Sequence, residues 1–150
     1  MDKGSELGTT ELEKFLTAQE QVYGRVVREL RNGRKESHWM WFIFPQLEGL
    51  GTSDMARRYA IGSLDEAREF LEHPVLGERL VECAEILLAI KTSCASKVFG
   101  YPDDMKLRSS MTLFSLASTP GSAFDKVLEK FFGGERDART IELIGRGRSG

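Results

Sequence analysis

Thiol chemistry in this 150-residue chain is confined to Cys83 and Cys94, which form no CxxC pair. Without a secretion-type leader ahead of them, the two cysteines exclude a disulfide framework as the source of stability. The histidines are only His38 and His73, and no spacing of His and Cys matches a zinc site, so no metal is expected. Basic excess is absent as well: the net charge is −2, which argues against a nucleic-acid partner. No apolar run approaches the roughly 20 residues of a membrane span, and the N-terminus is polar and acidic rather than signal-like. A cytoplasmic location without a membrane partner is the expectation. There is no GxSxG elbow and no glycine-rich phosphate loop, so neither a serine-hydrolase nucleophile nor a Walker or Rossmann nucleotide site is supported, and no cofactor is implied.

What the chain does contain is an ordinary globular mixture, 41% hydrophobic and 29% charged, at a length that fits one domain. Residues 1–8 are polar, glycine-containing and without periodicity, and read as a flexible N-terminus. Thr10 and Glu13 have capping-box spacing ahead of a long helix whose apolar stripe runs from Leu12 to Leu30, ended by Asn32-Gly33. Ser53, Ser63 with Glu66, Ser122 and Asp137 open further helices, Ser37 and Asp103 or Asp104 are candidate caps, and Pro74 suits a first helical position. Leu76, Leu80, Cys83, Leu87 and Ile90 share one face of what should be the central helix, with Cys83 buried in it. The tail from 145 to 150 reads as flexible. With no alternating strand pattern, the expectation is an all-α single domain over residues 9–144, built from seven or eight helices, several of them short.

The chain is organised around Ser37–Gly51, SHWMWFIFPQLEGLG, which carries both tryptophans and six consecutive large apolar residues. Pro45 disfavours α geometry at Phe44, so a short helix should end there. Together with SDMARRYAI, HPVLGERLVEC and DDMKLRSSMTLF, this block resembles a bacterial family, the domain of unknown function eighteen-ten, some of whose members carry the genome label calpastatin. The resemblance covers roughly residues 11–143. It implies a mainly helical fold and candidate positions, but no reaction.

Three constellations could carry chemistry. His38 beside Trp39 and Trp41, with Gln46 after the proline, combines a group that titrates near neutrality with faces that stack on a base, sugar or cation; otherwise it is an aromatic core whose His caps an end. In the block 103–112, Lys106, Ser109 and Ser110 make the economical cluster for a phosphate or carboxylate, while Arg108 lies about 160° away from Ser110 around an ideal helix; Asp104 and Arg108 could also be a surface pair. Arg57 and Arg58 with Tyr59 read more simply as a solvated face. Gln19 and Tyr23, one turn apart on the first helix, are either a satisfied core amide with its neighbour or a hydrogen-bonding pair facing a pocket. The leading reading is a binding domain for a small anionic or nucleotide-like ligand in one polar-aromatic cleft, using Gln19, Tyr23, Trp39, Trp41, Gln46, Lys106, Arg108, Ser109 and Ser110. The alternatives are a hydrolase or glycosidase with His38 as acid or base, and a protein-interaction module. The sequence leaves the oligomeric state open.

Overall fold

The computed structural model describes residues 3–149, and the side chains of 11–146. Among the described residues there are ten helices and no strand: α1 (Lys3–Glu20), α2 (Tyr23–Arg31), α3 (Met40–Ile43), α4 (Asp54–Arg58), α5 (Leu64–Glu72), α6 (Leu76–Ala89), α7 (Ala95–Phe99), α8 (Asp103–Leu116), α9 (Ala123–Phe132) and α10 (Ala138–Ser149). The count exceeds seven or eight chiefly because the long first helix breaks at Gln21-Val22. No proline or glycine occupies those two positions; the break turns α2 so that Tyr23 meets α6. Tertiary contact overrides a continuous apolar stripe here. The helical backbone already runs through Thr10, and the flexible ends expected at 1–8 and 145–150 fall mostly on residues whose side chains lie outside the described set.

Several caps follow the sequence. Ser53, Ser63 and Ser122 accept from the backbone N–H three residues on, and Glu66 reaches back to Gly62 N–H. Others do not. Ser37 gives its hydroxyl to Glu29 instead of capping α3, and Pro102 rather than Asp103 or Asp104 precedes α8, with Asp103 paired to Lys35 and Lys106 and Asp104 accepting from Met105 N–H. Pro74 lies in the turn before α6, where the His73 ring accepts from Val75 and Leu76 N–H at its Nδ1.

Helix α6 is central, packed against α2, α5 and α9, with Leu76, Leu80, Cys83 and Leu87 all inside. It approaches α5 so closely that a Cβ at Gly77 would lie 1.9 Å from the Leu71 carbonyl oxygen, so only glycine fits. Lys130 of α9 closes its far end, donating to the Leu87 and Leu88 carbonyls at 2.8 and 3.1 Å and to that of Ile90. A chain of rings, Phe15–Phe70–Phe114–Phe124, with centroids 5.2, 5.4 and 5.8 Å apart, ties α1, α5, α8 and α9 into one core. Helix α10 is fastened by Asp137, whose N–H donates to Thr112 Oγ1 at 2.9 Å and whose carboxylate caps Thr140.

Candidate functional site

The segment leaving α2 is shaped by a carboxylate. Glu29 lies three residues after Val26 on the helix's inner stripe and is buried. Gly33, at φ 70°, turns the chain back so that Glu29 accepts from Glu36 N–H, Ser37 N–H, Ser37 Oγ and Trp39 Nε1, at 2.7, 2.9, 2.6 and 2.9 Å. Burial pushes the carboxyl upward, but these four donors outweigh it and hold the group down at about 2, against an ordinary 4.5. Lys35 completes the corner. Its Nζ lies 2.9 Å from Asp103 and 5.2 Å from the Trp39 ring centroid, and its N–H donates to Val98. Trp39 is thereby a core residue, packed on Phe44 and Phe99. His38, between Ser37 and Trp39, points to solvent and makes no hydrogen bond or ion pair among the described residues.

Trp41 behaves otherwise. It is only half-buried, yet its Nε1 is enclosed and has no partner among the described residues. Lys106, in the second turn of α8, sits with Nζ 5.6 Å from the Trp41 centroid and 3.6 Å from Asp103. One turn further along the same helix face is Ser110, wholly buried, whose hydroxyl also lacks a partner among the described residues. Ser109 turns its hydroxyl back to its own helix, 3.3 Å from the Met105 carbonyl. Arg108 faces away, 3.6 Å from Glu135 and 6.0 Å from the Phe132 centroid. Gln46 is half-buried; its carbonyl takes Ile61 N–H at 2.9 Å, and its side chain makes no bond among the described residues. Trp41, Gln46, Arg57 and Tyr59 line a small enclosed space of about 40 Å³, which is room for about one water.

Gln19 and Tyr23 belong to a different corner. Gln19 is buried, donates to the Phe42 carbonyl at 2.8 Å and accepts from Arg79 at 3.2 Å. The Tyr23 hydroxyl donates to the Glu82 carboxylate and receives the Cys83 thiol at 3.9 Å, with the Arg79 guanidinium 4.8 Å from its ring centroid. Burial, then the Cys83 and Glu82 neighbours, push the phenol well above its usual value, and burial pushes the Cys83 thiol up to about 12.

The structure thus brings Lys106 over Trp41, with Ser110 buried one turn along α8 from that lysine, seats Gln19 on the Phe42 carbonyl and Tyr23 against α6, and leaves His38 and Arg108 on other faces. Glu29, Arg79 and Glu82 are the polar residues that sequence reasoning missed. Glu29 carried a signal, a carboxylate at an apolar stripe position; the other two did not, because surface glutamate and arginine on a helix are ordinary. The larger cavities lie elsewhere. One of about 790 Å³ runs between α2 and α6, and one of about 340 Å³ lies between the Ser63 turn and the Leu143–Ile144 end of α10. Among the described residues, no cluster of three or more His, Cys, Asp or Glu is arranged to hold a metal, and no helix is long and apolar enough to cross a membrane.

The comparisons agree with this architecture. Residues 9–144 match the family described as a protein of unknown function (DUF1810). The chain is 49% identical to the crystallised conserved hypothetical protein Rv1873 from Mycobacterium tuberculosis, with a TM-score of 0.88 over 90% of this chain and 96% of that one. No curated protein matches significantly.

Proposed function

We propose that this chain, which belongs to the DUF1810 family, is a cytoplasmic domain that binds a small anionic ligand at the Trp41–Lys106–Ser110 face. The observation that carries the reading is Lys106 set over the Trp41 ring, with two enclosed donors on these elements, Trp41 Nε1 and Ser110 Oγ, that have no acceptor among the described residues. Buried donors are costly to leave unmade, and an anion's oxygens supply acceptors while the ammonium supplies charge. The space of about 40 Å³ beside Trp41 is lined by Gln46, Arg57 and Tyr59 rather than by Lys106 or Ser110, so a ligand held by Lys106, a nucleotide included, would lie over the outer part of the indole. The free cysteines accord with a reducing compartment. A hydrolase reading draws no support from His38, which has neither a carboxylate nor a nucleophile as partner.

A thermal-shift titration with inorganic phosphate, ribose 5-phosphate and nucleoside monophosphates tests the proposal. A ligand that occupies the site raises the melting temperature in proportion to RT ln(1 + [L]/Kd), and K106Q removes the rise without changing the ligand-free melt by more than a degree or two. A flat response to every anion at ~10 mM, about a hundredfold above a 0.1 mM Kd, rejects it.

A further inference from the structure

We infer that the α2–α6 face is a self-complementary surface for a second copy of this chain. Arg25, Arg28 and Arg31 are exposed along α2, and among the described residues none lies within 4 Å of a carboxylate. Elsewhere most arginines pair: Arg68, Arg79, Arg108, Arg136, Arg139 and Arg146 each meet an acid. On α6, Glu78, Glu82 and Glu85 are exposed and equally without a cation, Glu82 engaging only the Tyr23 hydroxyl. By helical spacing Arg28 and Arg31 turn outward, Arg31 toward α6, whereas Arg25 lies about 160° around α2 from Tyr23, the residue that meets α6. Tyr23, at the start of α2, meets Arg79 and Glu82, while Arg31 and Gly33 share the large groove with Ile90 and Thr92. The helices are therefore roughly parallel, and Arg31 shares the groove with Glu82 and Glu85 without an ion pair between them among the described residues. Its floor is apolar, contributed by Ile86, Ala89 and Ile90.

A two-fold axis along that groove lays the arginine row of each copy on the glutamate row of the other. An isologous contact requires this reciprocity. The equal rows of opposite sign also favour the occupant: a polyanion such as nucleic acid would meet the glutamates, and a basic partner the arginines. Because exposed ion pairs contribute little individually, the dimer is weak, concentration-dependent and dissociated by salt.

Sedimentation velocity of the full chain decides the matter. At about 50 mM salt, where surface charges are least screened, the dimer fraction rises toward ~200 µM protein, and it falls at least about tenfold in association constant at ~500 mM salt. R25E/R28E and E78R/E85R are each monomers, and their equimolar mixture forms a heterodimer because the acidic rows then face basic ones. R28E alone, on a fully solvated side chain, gives the same direction if a double variant folds poorly. The proposal is overturned if wild type stays monomeric throughout, if both swapped variants dimerise like wild type, or if wild type binds a labelled single-stranded DNA that R25E/R28E does not.

Discussion

Trp39 and Trp41 are separated by a single residue, and their indole nitrogens meet different fates. Trp39 Nε1 donates to Glu29 inside a set of four hydrogen bonds that satisfies the carboxylate. Trp41 Nε1 is enclosed with no partner among the described residues, beneath a lysine that belongs to another helix. The first corner is closed: donors and acceptors balance, and nothing is left to recognise. The second is open: a lysine stands over each ring, but here the indole donor has no acceptor among the described residues. Burial of polar groups in a small domain is thus not one phenomenon. Where partners are complete it specifies a turn, and where they are incomplete it leaves capacity for something else.

The comparison breaks most readily at Trp39. Replacing it with Ala removes a fully buried ring and leaves Glu29 short of a donor, so urea unfolding should show a loss of about 3–5 kcal/mol. A loss below ~1 kcal/mol would mean that the closed corner is not structural. Acid tests the same corner. The folded Glu29 sits at about 2 against an ordinary 4.5, so its contribution is complete above about pH 4.5 and disappears as pH falls toward 2, at most ~3 kcal/mol in all. Asp125, held low despite burial by Ser115, Gly121 and Arg136, is lost in the same direction. The E29Q variant should be less stable at pH 6 and show a shallower decline between pH 5 and 3; an unchanged acid slope would remove Glu29 from the account. Trp41→Ala should cost less, about 1–2 kcal/mol, since the ring is half-exposed and its removal also deletes an unpaired donor. A cost equal to that of Trp39→Ala would erase the distinction between the two corners.

Much of this architecture is legible in the residues. Leu76, Leu80, Cys83 and Leu87 announce the central helix by spacing alone, and Ser63 with Glu66 announces α5 by its reciprocal cap. Pro45 stops α3 where backbone sterics require. The break at Gln21-Val22 is not legible, because it is set by what Tyr23 meets 56 residues later. The candidate site is legible only in composition. Lys106 and Ser110 share a face by helical geometry, but that Trp41 rather than Trp39 would be the half-exposed ring depends on Glu29, whose carboxylate captures one indole and leaves the other.

The smallest expected effect is the most discriminating. Ser110 is wholly buried in α8, and its hydroxyl has no partner among the described residues. An unsatisfied buried hydroxyl carries a desolvation cost of about 1–3 kcal/mol, and alanine is the better helix former by a few tenths. Ser110→Ala should therefore stabilise the ligand-free protein, by about 0.5–1.5 kcal/mol, or a rise of roughly 1–6 °C in melting temperature at this chain length. The same substitution should weaken the thermal response to phosphate, because it deletes an enclosed donor on the helix that carries Lys106. These opposite signs from one methyl-sized change are what an open corner requires, a local sacrifice of stability that binding recovers. Ser109→Ala is the control, since that hydroxyl bonds its own helix and should move neither quantity by more than ~0.5 kcal/mol. A destabilised Ser110→Ala would show that the hydroxyl is already satisfied in the ligand-free protein, and the corner at Trp41 would then be as closed as the one at Trp39.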